Sequence, residues 1–190
     1  MKIGVLALQG AFREHCWMLE RCGAETVEVR KAEQLDDIVG LVIPGGESTT
    51  MGKLLVEWGL MDKIKDRAAQ GMAIYGTCAG MIVLSKDIIG SDQPRLGLMN
   101  TVVQRNAFGR QQESFEADLF VPEFGAAPVQ AVFIRAPYIV SVGADVQVLA
   151  TVADKIVIAR QGKLLATAFH PELTNDDRIH KYFMKLITEE

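Results

Sequence analysis

Cys78, His170 and Glu172 are the residues that could together run nucleophilic catalysis at a carbonyl carbon. Cys78 sits in Gly76-Thr77-Cys78-Ala79-Gly80, between the apolar runs Met72-Ala73-Ile74 and Met81-Ile82-Val83-Leu84. That order reads as strand, sharp turn, helix. Gly-x-Cys-x-Gly is the thiol counterpart of the Gly-x-Ser-x-Gly nucleophile elbow, and small neighbours let the backbone bend tightly and a substrate approach. At the amino end of a helix, free N–H groups and the helix dipole favour thiolate, the attacking species, over thiol. The competing reading makes Cys78 one more buried small apolar residue, as free cysteines commonly are.

A nucleophile needs a base, and Leu164 to Phe169 runs directly into His170-Pro171-Glu172. In an extended segment residues two apart face the same way, so His170 and Glu172 can point into one site. Cys78 would attack, His170 would shuttle the proton to the leaving group, and Glu172 would fix the imidazole tautomer. An isolated His-x-Glu pair also reads as a polar strand end. Zinc deaminase chemistry would need a Pro-Cys-x-x-Cys that the sequence lacks. His15 and His180 read as structural or solvated.

These residues need a scaffold that brings them to one edge. Lys2 to Leu8 is a compact branched run typical of a strand buried on both faces. Phe12, Cys16, Leu19 and Cys22 then recur at helical spacing, with Gly23 where a helix ends, so Cys16 and Cys22 belong to the core. Thr26 to Val29 and Val39 to Ile43 are further strands, and the β-α-β order predicts a doubly wound, mostly parallel sheet flanked by helices. The third strand ends in Pro44-Gly45-Gly46-Glu47-Ser48-Thr49-Thr50, a loop at the same carboxyl edge as the elbow. Its bare peptide N–H groups suit an oxyanion or a carboxylate, and Ser48 or Thr49 can cap the next helix. Helical segments are expected across Met51 to Trp58 and Leu60 to Gln70.

After the elbow helix, Gly90 to Asn100 is irregular. Short runs separated by Gly, Pro and Asp follow, which predicts an added antiparallel portion in the second half. Thr174 with Asp177 reads as a capping box before a closing helix whose apolar stripe is Ile179, Tyr182, Phe183, Leu186 and Ile187. One domain over 1–190 is expected. The 190 residues are 49% hydrophobic and carry a net charge of −4 with no basic stretch, so neither nucleic acid nor a membrane surface is indicated as a partner. Three cysteines and no Cys-x-x-Cys fit a reducing, cytoplasmic setting.

Gly76 to Gly80, Pro44-Gly45-Gly46-Glu47-Ser48 and His170-Pro171-Glu172 together resemble the triad-type, class I glutamine amidotransferases, which have a flavodoxin-like fold. The resemblance narrows with Leu8-Gln9-Gly10, Arg105-Asn106, Phe108-Gly109-Arg110-Gln111, Ser114-Phe115-Glu116-Ala117 and Phe133-Ile134-Arg135-Ala136-Pro137. These segments are similar to the glutaminase subunits of pyridoxal 5′-phosphate synthase, from end to end. Ala107 departs from that pattern, where many relatives carry serine.

The resemblance implies hydrolysis of L-glutamine to glutamate and ammonia through Cys78, His170 and Glu172, with no metal and no cofactor. Gly46, Glu47, Ser48, Arg105, Ile134 and Arg135 would line the glutamine site, and Gly46, Ala79 and Gln9 would serve the oxyanion hole. The implied partner is a (β/α)8-barrel lyase subunit that receives the ammonia and activates the glutaminase, in an assembly of twelve copies of each. A DJ-1-like cysteine hydrolase on a similar scaffold would not require Arg105. A non-enzymatic regulatory subunit would not require the cysteine or the histidine.

Overall fold

The computed structural model describes residues 1–106 and 114–189. Phe108, Gly109, Arg110 and Gln111, which carry part of the resemblance, and Ala107, which departs from it, lie outside the described residues. The first half alternates as the periodicity predicts: β1 (Lys2–Leu6), α1 (Phe12–Arg21), β2 (Glu25–Val29), β3 (Gly40–Ile43), α2 (Ser48–Glu57), α3 (Leu60–Ala69), β4 (Ala73–Thr77) and α4 (Ala79–Leu84). The second half adds β5 (Ser85–Ile88), β6 (Met99–Gln104), β7 (Ser114–Leu119), β8 (Val129–Ile134), β9 (Tyr138–Val142), β10 (Gln147–Val152), β11 (Lys155–Gln161), β12 (Leu164–Thr167) and α5 (Arg178–Thr188).

Among the described residues one ten-stranded sheet runs β2-β1-β3-β4-β12-β11-β9-β6-β5, with β10 on β11. From β2 to β12 all neighbours are parallel, the flavodoxin-like order, and the fifth parallel strand comes from near the carboxyl end of the chain. Every residue of β3 and β4 is buried, as strands covered on both faces require. The helices fall into two packing groups, α1 with α5 and α2 with both α3 and α4. From β12 onward the sheet turns antiparallel through β11, β9 and β6, and the alternating burial of β6 marks a sheet with one wet face. β7 and β8 form a separate antiparallel ribbon, braced internally by stacked Phe115 and Phe133 and held to the main body by Phe133 against Phe169. No helix among the described residues is long and apolar enough to cross a membrane.

Two helix starts differ from expectation. Glu47, rather than Ser48 or Thr49, caps α2, its carboxylate accepting from the N–H groups of Thr49 at 3.2 Å and Thr50 at 2.7 Å. A carboxylate spans two amide donors where one hydroxyl would meet one, and the dipole favours its charge. The Thr174–Asp177 capping box does not form, because α5 starts only at Arg178. The Arg178 guanidinium pairs with Asp176 and donates to the carbonyls of Ala127 and Pro128, which fixes 174–177 as a turn before the helix.

The tightest contact in the elbow is between α4 and β3. A Cβ on Gly80 would lie 1.9 Å from the Ile43 carbonyl oxygen, a backbone atom that cannot swing aside. Gly80→Ala is therefore expected to destabilise the fold by about 3 kcal/mol, read from urea midpoints; a change under about 0.5 kcal/mol would contradict this packing.

Candidate active site

The site is built where β4 and β12 end side by side. Their register pairs Thr77 with Thr167, so the next residues of each strand, Cys78 and Ala168, begin the two turns that carry the chemistry. Cys78 has φ 50° and ψ −105°, a conformation that costs a non-glycine residue about 1–3 kcal/mol and persists only when its surroundings impose it. Its N–H donates to the Thr167 carbonyl at 2.8 Å, and its carbonyl accepts from Ile82 at 3.3 Å. The side chain is reduced and 8% exposed.

His170 is fixed by backbone and side chain together. Its N–H donates to the Val132 carbonyl of β8 at 2.8 Å, and its Nδ1 lies 2.8 Å from Oε1 of Glu172. With Nδ1 so engaged, Nε2 is the ring nitrogen left free to face the cavity that His170 shares with Cys78. Burial pulls the His170 pKa down, but the hydrogen bonds and charges of Cys78 and Glu172 outweigh it and raise it to about 10. Glu172 is held below the usual carboxylate range: burial opposes ionisation, but His15 and His170 overcome it. Gly45 closes the gap above both residues, since a Cβ there would lie 2.5 Å from Cε1 of His170 and 3.5 Å from the Cβ of Cys78.

A cavity of about 490 Å³ opens over Cys78 and His170, lined also by Gly46, Glu47, Ser48, Ala79, Arg105, Ile134 and Arg135. Ile82, Asn106 and Pro137 complete its wall. Glu172 stands behind His170, and Gln9 braces the rim without lining it. The Gln9 side-chain amide donates to the Glu47 carbonyl at 2.6 Å and accepts from the Glu47 N–H at 3.3 Å, holding both backbone polar groups of that residue. Arg105 follows β6 and donates to Oε1 of Gln93 at 2.9 Å and to Oγ1 of Thr49 at 3.2 Å. Arg135 follows β8 with φ 43°, so both arginines leave strands into the same cavity. Gln93 was not legible from the sequence, since it lies in the patternless stretch after β5. His15 and His180 are completely buried rather than solvated, close to Glu172. Their places on the apolar stripes of α1 and α5 were the available signal.

Among the described residues no group of three or more His, Cys, Asp or Glu side chains could hold a metal ion. The arrangement is suited to acyl transfer: a thiol at a strained elbow, an imidazole on it, a buried carboxylate behind, and two cations in the wall.

Residues 5–189 match the SNO glutamine amidotransferase family. The chain belongs to that family. It is 62% identical over 187 residues to the pyridoxal 5′-phosphate synthase subunit PdxT of Moorella thermoacetica, covering 98% of this chain and 100% of that one. The subunit of the same name from Pelotomaculum thermopropionicum is 63% identical over 185 residues, covering 97% and 94%. A crystal structure of a glutamine amidotransferase superposes with a TM-score of 0.93 at 53% identity, covering 97% of this chain and 98% of that one. The resemblance drawn from the elbow and the arginine-bearing segments is thus the one that the comparisons return, and the chain is an amidohydrolase of this glutamine amidotransferase family.

Two outcomes follow from the geometry. Glycine tolerates the Cys78 backbone conformation and alanine does not, so Cys78→Gly should be more stable than Cys78→Ala by about 1 kcal/mol in chemical denaturation; equal or reversed stabilities would contradict the strain. Because the folded His170 pKa lies above 6.5, its stabilising interactions are fully present below that pH and fade as pH rises toward about 10. The stability advantage over His170→Gln should shrink across that window, and an advantage that grew with pH would contradict the assignment.

Proposed function

We propose that this chain hydrolyses L-glutamine to glutamate and ammonia, and that Cys78, His170 and Glu172 carry the reaction. The observation that supports this most is the parallel pairing of β4 and β12, which brings His170 and Cys78 to one cavity with Glu172 2.8 Å from Nδ1 of His170. The Cys78 sulfur attacks the side-chain amide carbon of glutamine, and the carbonyl oxygen becomes an oxyanion that the peptides at Gly46 and Ala79 stabilise. Gln9 serves that hole indirectly, by holding the backbone N–H and carbonyl of Glu47, the residue after Gly46. His170 gives a proton from Nε2 to the departing nitrogen, which leaves as ammonia, and a γ-glutamyl thioester remains. Water then attacks the thioester, His170 takes its proton, and glutamate leaves with the thiolate restored.

Arg105 and Arg135 meet the α-carboxylate of the substrate, because a guanidinium offers paired donors to a carboxylate. Glu47, Ser48 and Ile134 shape the remaining wall. The relatives named as pyridoxal 5′-phosphate synthase subunits point to the recipient of the ammonia. That recipient is a (β/α)8-barrel synthase subunit, twelve copies with twelve of this chain, which takes up ammonia directly and raises the glutaminase rate. Direct handover preserves the nucleophile, since ammonia released into neutral water is protonated.

Glutamate release from L-glutamine should rise when the synthase subunit is added to the purified chain. Cys78→Ala should lower it at least about a thousandfold while the two chains still co-elute. Residual turnover by the alanine variant near that of the parent would overturn the assignment of the nucleophile.

A further inference from the structure

The two histidines outside the cavity share one buried network with Glu172. Nδ1 of His15, in α1, lies 2.9 Å from Nε2 of His180, in α5. Nε2 of His15 lies 3.2 Å from Oγ1 of Thr77 and 3.3 Å from Oε2 of Glu172. Both rings are completely buried, and Glu172 is 5% exposed. The other carboxylate oxygen, Oε1, is taken by His170. Oε2 has no aligned hydrogen bond among the described residues, and the nitrogen of His15 lies beside it.

The proton positions follow from chemistry. An ionised carboxylate can only accept, so the tautomer that gives Oε2 a donor puts the hydrogen on Nε2 of His15, shared between Oε2 and Thr77. Nδ1 of His15 is then bare and accepts from Nε2–H of His180. That leaves Nδ1 of His180 bare, and it has no partner among the described residues, so no proton is stranded there. Burial fits one proton on each ring: it lowers the His15 pKa against the pull of Glu172, and with His15 it pushes His180 down to about 3.

We propose that His15 is a positioning residue, which His180 locks in the tautomer that donates toward Glu172, so that the carboxylate stays turned to Nδ1 of His170. The proposal rests on the glutaminase reading above. The titratable and charged groups facing Glu172 are His170, His15 with Glu14 and Arg21 of the same helix, His180 of α5 and Tyr75 of β4. Of these, His170 is on Oε1 and the Nε2 of His15 lies beside Oε2, both favouring the ionised carboxylate. Removing the His15 donor makes Glu172 easier to protonate and weakens its hold on the His170 ring.

The test is steady-state glutamine hydrolysis by the complex with the synthase subunit, for the parent, His15→Leu and His15→Gln. Rates are expressed per site titrated with 6-diazo-5-oxo-L-norleucine, so misfolded protein is not counted. In His15→Leu, kcat should fall about tenfold, the scale of losing an outer hydrogen-bond partner. KM should hold, because His15 does not line the cavity. The acid limb of the kcat/KM profile should move to higher pH. His15→Gln, whose side-chain amide places an N–H near the position of Nε2, should recover both the rate and the limb. Parental kcat and an unmoved limb in His15→Leu would overturn the proposal, as would equal losses in the two variants. The proton NMR signal of His170 Nδ1–H gives a readout independent of turnover, expected to shift in the leucine variant and return in the glutamine variant. A parent that released no glutamate would sink the glutaminase reading, whereas an Nδ1–H signal unmoved by His15→Leu would sink this one.

Discussion

The whole site depends on one strand pairing: β12, near the end of the chain, lies parallel to β4 with Thr167 opposite Thr77. Parallel neighbours finish at the same edge, so residues about 90 positions apart in sequence emerge together, with the loop after β3 alongside. A slip of one residue in that register would turn the alternation of side chains over and carry His170 away from Cys78. The register is pinned by contacts that any slip would lose: the Cys78 N–H on the Thr167 carbonyl and the Tyr75 hydroxyl 3.0 Å from Oγ1 of Thr167. The excursion from β5 to β11, antiparallel from β6 onward, delivers the last parallel strand to that slot.

Around this pairing the structure accepts local costs. Cys78 adopts a backbone conformation unfavourable for its type, and two imidazoles and a carboxylate are withdrawn from water beneath it. The same network turns that burial into order, because each shared proton has one consistent position. The cations stand on the opposite side, in the cavity wall, where Gln93 and Thr49 hold Arg105 at the end of β6. Negative charge behind the imidazole and positive charge in front of the sulfur suit a reaction in which an anion develops over the elbow.

Much of this was legible in the residues because it is written locally. Gly76-Thr77-Cys78-Ala79-Gly80 encodes its turn through glycines that the packing requires, and His170-Pro171-Glu172 encodes a shared direction. Arg105 and Arg135 were identifiable through the resemblance of the segments that carry them. The partner of β12 was not legible, since nothing local states which of several apolar strands a late strand will join. Gln93 was hidden in a segment without periodicity. The buried pair His15 and His180 looked like any polar residues at the margin of an amphipathic stripe, because their use depends on two helices meeting over Glu172. The α2 cap differs from expectation for a similar reason: Ser48 and Thr49 are common cap types, but Gln9, far away in sequence, holds both backbone polar groups of Glu47, and the Glu47 carboxylate takes the first N–H groups of the helix.

The central claim is that the elbow sulfur becomes covalently attached to the substrate, and the most direct measurement is acid-quenched peptide mass spectrometry of the complex turning over L-glutamine. The account predicts a γ-glutamyl adduct on the peptide containing Cys78, appearing before steady state and lost on prolonged incubation as substrate is used up. Glutamate release with no such adduct, or with the adduct on Cys16 or Cys22, would contradict it.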